Sequence, residues 1–316
     1  MQSIIMQRYA VLFLAIISAA QVLGQCPEFS YDDDAANGPS NWGTLCSDYA
    51  TCGTGQVQSP LDLRTSNSVF SSFSIEQEYD DQIQLEFFNN GHTVEVDYHD
   101  AVGAHFLESD NDDFDLLQFH FHTPSENTMD GDHADAEVHF VHQDSAGNLL
   151  VFGVLIDGGS DECDFLDMLE SHVPQDEDNE EHVDISDLLN ALDIDDDMDL
   201  FTFPGSLTTP PCTEGVTWIV KAEILRCSNS QIDKFSSVLH GNSRPIQDRN
   251  GRTIQRNFAE STDSMTYSSF SVSSSRSFSS STSSSRSGSR SSDSSSASSV
   301  VAPIFTVFLF ALATIF

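Results

Sequence analysis

The chain has 316 residues, of which 50 are acidic and 12 are basic, so its formal net charge is −38. Such a charge repels nucleic acid and anionic membranes, which excludes a nucleic-acid-binding protein and a protein that docks on acidic lipid. The length could hold two domains, but the composition indicates one folded domain with accessory segments at both ends.

The first 24 residues predict a secretory signal peptide. A short polar start with Arg8 as its only basic residue is followed by a mostly apolar run at residues 9–20 and by small residues near Gly24. This arrangement is typical of a cleavable leader, whereas a membrane anchor, the alternative, needs a longer apolar run.

The chain has six cysteines and no Cys-x-x-Cys pair, so we expect disulfide bonds rather than a cysteine zinc site.

Residues 85–98 predict two strands joined by a tight turn. Apolar and polar residues alternate on both sides of the turn Asn89-Asn90-Gly91, which is the pattern of a hairpin. His92 follows this turn directly. An imidazole at this place could be an ordinary surface residue, or it could carry protons, because histidine titrates near neutral pH.

Residues 116–123 and 136–142 predict two further strands, and both contain histidines. His120 and His122 share one face of the first strand, because successive side chains point to opposite faces. His139 can lie opposite them on a neighbouring antiparallel strand. Three neutral imidazoles that converge on one point are the ligand set of a catalytic zinc, with the fourth position left for water.

Two polar side chains strengthen this hypothesis. A His-x-His pair by itself is weak evidence, because most histidines on strands are hydrogen-bonded surface or core residues. Gln118 lies two residues before His120, and Glu137 lies two residues before His139, so each pair shares a face. Such acceptors fix the tautomer and orientation of metal-bound histidines. The pattern therefore favours a metal site over satisfied core histidines.

Later segments predict one buried strand, one further strand and two helices. Residues 149–156 form a continuous apolar run, which is consistent with a central buried strand, and residues 216–225, which include Trp218, predict another strand. The apolar residues at 164–172 and 185–192 have helical spacing.

Acidic residues are densest between residues 176 and 199. Such a surface would keep a protein soluble in high salt, where screening weakens self-repulsion. Clustered carboxylates could also bind Ca²⁺ or other divalent cations weakly. Because the sequence has no Asp-x-Asp-x-Asp-Gly loop with a closing Glu, a solvated surface is favoured over a tight cation site.

The end of the chain divides into two segments. Residues 264–299 contain 23 serines among 36 residues. This segment has too little apolar surface for a core, which predicts a flexible stalk that could be O-glycosylated. Residues 300–316 are uncharged and mostly apolar. Small residues, a polar spacer and an apolar tail are the signal for a GPI anchor. A membrane-spanning tail is the alternative, although no basic flank follows it.

Motifs of one known family stand in order between about Trp42 and about Arg256. They are Asn41-Trp42-Gly43, Gln58-Ser59-Pro60, His120-x-His122, Pro124-Ser125-Glu126, Gly131, Glu137-x-His139, Ser206-Leu207-Thr208-Thr209-Pro210-Pro211 and Asn242-Ser243-Arg244-Pro245-Ile246-Gln247. They resemble the α-class carbonic anhydrases, and the short gap between the second and third histidines resembles their bacterial, algal and plant branch. The resemblance implies a mainly β fold: a single domain on a large, mostly antiparallel, twisted central sheet with a few short surface helices.

The resemblance also implies an activity. The chain would be a carbonic anhydrase (carbonate dehydratase), a lyase that reversibly hydrates CO2 to bicarbonate and a proton. Its cofactor would be Zn²⁺ held by His120, His122 and His139, and the attacking group would be a zinc-bound hydroxide. Residues 25–263 would form this domain, and the leader and tail would place it outside the cell or on its surface.

Individual roles follow from the same resemblance. Thr208 would accept the hydrogen bond of the hydroxide and donate its own to Glu126, and Thr208 and Thr209 would contact bicarbonate. His92 would be the proton shuttle, because Asn90-Gly91-His92 matches the position of the shuttle in the family. An apolar wall would receive CO2 and would consist of Val141, Val151, Leu207 and Trp218.

Support for the ligands and one disulfide are implied as well. The backbone of Asn242 would support a ligand histidine, alongside Gln118 and Glu137. In exported members of the family a cysteine before the Gln-Ser-Pro segment is bonded to one after the Thr-Thr-Pro-Pro loop, which implies a bridge between Cys52 and Cys212. The pairing of the other four cysteines stays open: Cys26, Cys46, Cys163 and Cys227.

Three positions depart from the family pattern. Thr44 and Phe203 stand where tyrosine is common, and Glu95 stands where an Asn or Gln commonly faces the cleft. The last two bear on the water network that feeds His92, and therefore on the rate rather than the chemistry.

Other hypotheses are a non-enzymatic binding or receptor domain of the same family, an acidic matrix protein in mineral deposition, and another zinc hydrolase. The first would lack a ligand histidine, and the last would need a motif such as His-Glu-x-x-His.

Overall fold

The computed structural model describes residues 26–78, 82–98, 105–108, 113–176, 180–186, 190–192 and 198–259. The predicted signal peptide, Ser-rich stalk and apolar tail therefore lie outside the described residues, as does part of the acidic stretch between residues 176 and 199. None of the described helices is long and apolar enough to cross a membrane.

Strands dominate the described part of the chain. They are numbered β1 to β16 in chain order and span Asp62–Leu63, Val69–Phe70, Ile75–Glu78, Gln82–Asn89, Val94–Tyr98, His105–Glu108, Asp113–His122, Thr128–Met129, Asp132–His133, Ala136–Asp144, Leu149–Gly159, Glu180–Ser186, Leu200–Ser206, Glu214–Lys221, Leu225–Ser228 and Gln255–Arg256. Four α-helices, α1 to α4, span Trp42–Leu45, Thr51–Thr54, Asp164–Leu169 and Asn229–Leu239. Short 3-10 helices span Pro39–Asn41, Ser47–Tyr49, Thr65–Asn67 and Asn190–Leu192.

One large sheet organises these strands. Its main path runs β12-β4-β5-β7-β10-β11-β14-β13-β16-β2, and β1, β8 and β9 form a small separate sheet. Most neighbours in the large sheet are antiparallel, but β11 is parallel to both β14 and β15, and β16 is parallel to β2. The predicted mainly β fold on a large, mostly antiparallel sheet is confirmed, with the correction that the sheet is mixed.

The apolar core lies on the face of the central strands opposite the histidines. Phe119 and Phe121 of β7 alternate with His120 and His122, and the core phenylalanines pack against α3 and α4 through Phe165 and Phe235. Burial of each such ring contributes roughly 1.5–3 kcal/mol. The same alternation that fills the core therefore presents the histidines on the other face.

One predicted helix is partly wrong. Residues 185–192 have helical spacing, yet residues 180–186 form β12. Every residue of β12 pairs with a residue of β4. The only described helical turn in this stretch is the 3-10 helix at residues 190–192. Pairing with a long neighbouring strand outweighs the weak local preference of a short segment.

Helix α4 is bounded by clear start and stop signals. Ser228 and Gln231 form a capping box at its start, which satisfies backbone N–H groups that the first turn leaves open. His240 ends the helix with a φ of 54°, and Gly241 follows with a φ of 82°. This left-handed pair turns the chain back, so that Asn242 reaches the end of β7.

Three disulfide bonds join all six cysteines: Cys26–Cys46, Cys52–Cys212 and Cys163–Cys227. The bridge between Cys52 and Cys212 closes a loop with a sequence separation of 160 residues. In the chain-entropy model a bridge that closes a loop of this length stabilises the fold by about 5 kcal/mol. It also fixes the loop after β13 to the N-terminal part of the domain.

Candidate metal centre

The three histidines of the sequence hypothesis converge in the structure. Strands β7 and β10 are antiparallel, with His139 opposite His120 and Glu137 opposite His122. All three imidazoles are buried, and each offers a ligand nitrogen within 4.8 Å of the other two. Burial lowers the pKa of each, to about 4 for His122. The rings are therefore neutral at pH 7, which is the form that binds a metal ion.

Each imidazole has an acceptor at the nitrogen that faces away from the centre. The Nδ1 atom of His120 lies 2.8 Å from the side-chain oxygen of Gln118, and that of His122 lies 2.8 Å from the backbone oxygen of Asn242. For His139 the nearest acceptor is the Glu137 carboxylate, 3.1 Å from Nε2, but this nitrogen makes no hydrogen bond of good geometry among the described residues. The two hydrogen bonds fix the orientations of the His120 and His122 rings.

This donor set fits Zn²⁺. Catalytic zinc takes three protein ligands and keeps a fourth position open, and imidazole nitrogen is one of its preferred donors. The Nε2 atom of His122 is buried and has no hydrogen-bond partner among the described residues. A buried nitrogen without a partner is costly, and a metal ion at the centre of the three rings would satisfy it.

Glu137 is the centre of a buried hydrogen-bond network. One carboxylate oxygen accepts the backbone N–H groups of Glu126 and Asn127, both at 2.8 Å, and the other accepts the Asn127 side-chain amide at 2.7 Å. Burial is the larger effect and raises the pKa of Glu137, and these hydrogen bonds counteract part of that rise. Asn127 is a site residue that the sequence reasoning missed, since no motif marks a contact between residues 127 and 137.

Glu126 lies between the histidines and the loop that contains Thr208. Its Oε1 atom accepts the backbone N–H of Arg244 at 2.8 Å and lies 3.5 Å from Nδ1 of His122. Its Oε2 atom has no hydrogen bond of good geometry among the described residues, but Thr208 is close enough to lower the carboxyl pKa. Burial is the larger effect and raises that pKa to about 8.

Apolar side chains form a wall beside the histidines. Val141 of β10 lies opposite Val151 of β11, which in turn lies beside Trp218 of β14. The Trp218 ring packs edge-on against His139 with 4.8 Å between the ring centroids. Leu207 is also buried. The residues expected to receive the substrate therefore lie on adjacent strands and in the loop after β13.

Hydrogen bonds and the long-range disulfide hold the loop after β13. Gln58 donates to the backbone oxygen of Cys212 at 3.0 Å, and the backbone of Ser59 donates to the Ser206 hydroxyl at 2.9 Å. Thr208 and Thr209 are both buried, and the Thr209 hydroxyl has no hydrogen-bond partner among the described residues.

His92 occupies the turn between β4 and β5. Its backbone N–H donates to the Asn90 side chain at 3.0 Å, and its backbone oxygen accepts from the Asn242 side chain at 3.1 Å. Glu95 lies on β5 opposite His120, and burial together with the nearby Asp97 raises its pKa to about 8. Asn242 thus supports His122 with its backbone and the turn at His92 with its side chain.

The chain matches the family model described as eukaryotic-type carbonic anhydrase over residues 37–258. It is 36% identical to a carbonic anhydrase of Pectobacterium atrosepticum, covering 75% of this chain and 97% of that protein. It is 31% identical to alpha carbonic anhydrase 3 of Arabidopsis thaliana, covering 78% and 91% respectively. Among solved structures it is similar to the alpha-carbonic anhydrase of Thermovibrio ammonificans in complex with the inhibitor sulfanilamide. That likeness has a TM-score of 0.67 and 35% identity, and it covers 73% of this chain and all of the other.

Alanine substitution tests the metal site. His120→Ala, His122→Ala and His139→Ala should each abolish zinc retention in purified protein, because two imidazoles alone hold the ion weakly. Metal analysis by mass spectrometry measures this, with His240→Asn as the control, since His240 is exposed at the end of α4 and Asn tolerates its left-handed backbone. Full zinc content in His139→Ala would contradict the assignment.

Proposed function

The chain belongs to the eukaryotic-type carbonic anhydrase family, and on that premise we propose that it reversibly hydrates CO2 to bicarbonate and a proton. The convergence of His120, His122 and His139 supports this proposal more than any other observation. A binding domain that had lost a ligand is disfavoured, because all three histidines are present and supported. A zinc-dependent, sulfonamide-sensitive CO2 hydration assay on residues 25–263 is the direct test.

Three histidines would hold the metal ion, and the residues behind them would hold the histidines. When bound there, Zn²⁺ would supply a hydroxide nucleophile at neutral pH, because it lowers the pKa of water to about 7. Gln118, Glu137 and the backbone of Asn242 would keep the three ring nitrogens aimed at one point. Glu137 also accepts the backbone N–H of Glu126, so the same carboxylate positions a ligand and the next group in the site.

Glu126 and Thr208 would orient the nucleophile. The ionised Glu126 carboxylate would accept the Thr208 hydroxyl proton in a hydrogen bond, so that the Thr208 oxygen can only accept. Thr208 would then accept a hydrogen bond from the nucleophile and so fix the direction from which it approaches the carbon of CO2. A positive charge near a carboxylate favours the ionised form. The charge of a bound Zn²⁺ would therefore offset the rise in pKa that burial causes for Glu126.

Apolar residues would bind the substrate CO2, and polar residues would bind the product bicarbonate. CO2 is small and carries no net charge, so an apolar wall of Val141, Val151, Leu207 and Trp218 suits it, and such a wall offers no competing hydrogen bonds. Bicarbonate is an anion with donors and acceptors, and the unpartnered hydroxyl of Thr209 would bind it beside Thr208. Product formation would therefore move the ligand from apolar to polar contacts.

His92 would export the proton that each hydration releases. Its backbone is held from both sides by Asn90 and Asn242, in the turn between β4 and β5. A histidine exchanges protons readily near neutral pH. This role concerns regeneration of the nucleophile and not the attack on CO2.

Substitution of Thr208 or Glu126 tests the orienting pair. Thr208→Ala and Glu126→Gln should retain zinc but lower kcat/KM on the order of a hundredfold, because misorienting one reacting group costs about that much. Stopped-flow hydration assays with parallel metal analysis measure both effects. Thr208→Ser, which keeps the hydroxyl, is the matched control and should stay active. Unchanged kcat/KM in both the alanine and the glutamine variant would contradict the proposed pair.

Replacement of His92 separates proton export from chemistry. His92→Ala should lower kcat by at least about tenfold, while kcat/KM for CO2 stays nearly unchanged, since that parameter does not include proton export. Added imidazole should restore part of kcat, because it carries protons from solution. A parallel fall in both parameters, or no rescue, would show that His92 positions something instead of moving protons.

We further propose that the protein travels the secretory pathway and is held at the cell surface. The three disulfides agree with an oxidising compartment. Residues 1–24 would be removed as a signal peptide, residues 25–263 would be the catalytic domain, and residues 264–299 would form a stalk. Residues 300–316 would belong to the segment that is removed when a GPI anchor is attached, with a membrane-spanning tail as the alternative.

Lipid anchoring has a direct test. If a small residue around Ser287 to Ser291 receives the anchor, a phosphatidylinositol-specific phospholipase should release activity from intact cells, because that enzyme cuts the lipid from the glycan. Mass spectrometry of the purified protein should then find no peptide from residues 300–316. Retention on the membrane together with an intact Phe316 would show a tail-anchored protein instead.

A further inference from the structure

Two carboxyl groups lie on the same face of the sheet as the ligand histidines. Glu95 and Asp97 are two residues apart on β5, so their side chains point the same way. In the register with β7, Glu95 stands opposite His120 and Asp97 stands opposite Gln118. The apolar residues of β5 that alternate with them lie in the core. The carboxyl pair therefore borders the candidate metal centre on its β5 side.

The two carboxyl groups are hydrogen-bonded to each other. Glu95 bonds the side chain of Asp97 and accepts the side-chain amide of Asn90 at 3.4 Å. A hydrogen bond between two carboxyl groups needs one proton, so the pair holds one proton and keeps one negative charge near neutral pH. Burial and the neighbouring Asp97 raise the pKa of Glu95 to about 8, which agrees with a shared proton.

The strands around the pair contain no lysine or arginine. Neither residue type occurs in the sequence between Arg64 and Lys221, a stretch that includes β4, β5, β7 and β10. The three ligand imidazoles are neutral, because burial lowers their pKa values. The β5 side of the centre is therefore negative.

A hydrogen-bond donor stands beside the pair. The side-chain nitrogen of Gln118 is buried and has no hydrogen-bond partner among the described residues, so it favours an acceptor atom beside it. An uncharged donor of this kind attracts anions and neutral acceptors alike. A negative charge next to it weakens the binding of anions only, because like charges repel.

We propose that the Glu95–Asp97 pair is a specificity element that weakens the binding of small inorganic anions at the metal centre and leaves access of uncharged CO2 unaffected. This inference rests on the proposed function, in which the three histidines hold a metal ion. Such an ion attracts chloride and similar anions, and an acidic protein that works in high salt meets them at high concentration. The product bicarbonate is also an anion, so the same charge would favour its release.

Removal of the charge should tighten anion binding. Azide is the probe, titrated against the visible spectrum of the protein loaded with Co²⁺, which accepts the same nitrogen ligands as Zn²⁺. Glu95→Gln with Asp97→Asn should lower the azide dissociation constant about three- to tenfold, because one nearby like charge is lost. Glu95→Gln alone should bind azide nearly as the native protein does, since Asp97 then keeps the charge. The value of kcat/KM for CO2 should change much less than the azide constant.

A second pair of acidic residues provides the matched control. Asp161 and Glu162 are exposed beyond the end of β11, and that strand lies opposite His139 at Gly153, several residues earlier. Asp161→Asn with Glu162→Gln makes the same two chemical changes away from the histidines and should leave the azide constant unchanged. Cobalt uptake and circular dichroism show whether each variant is folded, and Glu95→Gln with Asp97→Ser replaces the first variant should it not fold.

The possible outcomes separate this inference from the proposed function. An equal gain in azide affinity in the control would indicate an effect of net charge and overturn the proposal. An unchanged azide constant in the folded Glu95 and Asp97 double variant would overturn it as well. A native protein that binds cobalt and azide but does not hydrate CO2 would refute the proposed function, while the anion measurement still stands. A native protein that takes up no cobalt would refute the metal centre and both proposals.

Discussion

The antiparallel register between β7 and β10 is the constraint on which the candidate metal centre depends. It sets His139 opposite His120, so that three imidazoles share one face of the sheet. A slip of one residue would turn every side chain of a strand to the other face and would exchange the histidines for Phe119 and Phe121. Because exposing those phenylalanines would lose a large part of the core, packing on one face selects the arrangement of ligands on the other.

Burial of the polar groups in the centre imposes a second constraint. A buried polar group without a partner costs roughly 1–3 kcal/mol, and the centre contains three imidazoles and the carboxylates of Glu126 and Glu137. Two of these groups have partners from a distant part of the chain, the backbone oxygen of Asn242 for His122 and the backbone N–H of Arg244 for Glu126. The stability of the network therefore depends on the loops as much as on the two ligand strands.

Asn242 links the end of β7 to the turn between β4 and β5. Its backbone oxygen lies beside His122, its side-chain oxygen accepts from the backbone of Thr123, and its amide donates to the backbone of His92. Helix α4 delivers this residue by ending in a left-handed turn at His240. A substitution that prevents this left-handed turn would consequently disturb His122 and the proposed proton carrier together.

Local pattern was enough to predict the two strands that contain the histidines, the hairpin that contains His92 and the contact of Gln118 with His120, because the alternation of side chains along a strand is set by backbone geometry alone. The family resemblance added the mostly antiparallel sheet, the Asn242 contact and the pairing of Cys52 with Cys212. Only the tertiary structure showed the parallel pairs of β11, the contact of Asn127 with Glu137 and the other two disulfides. Each of these joins residues whose separation in the chain carries no period, and such contacts exist only after the sheet has brought the segments together.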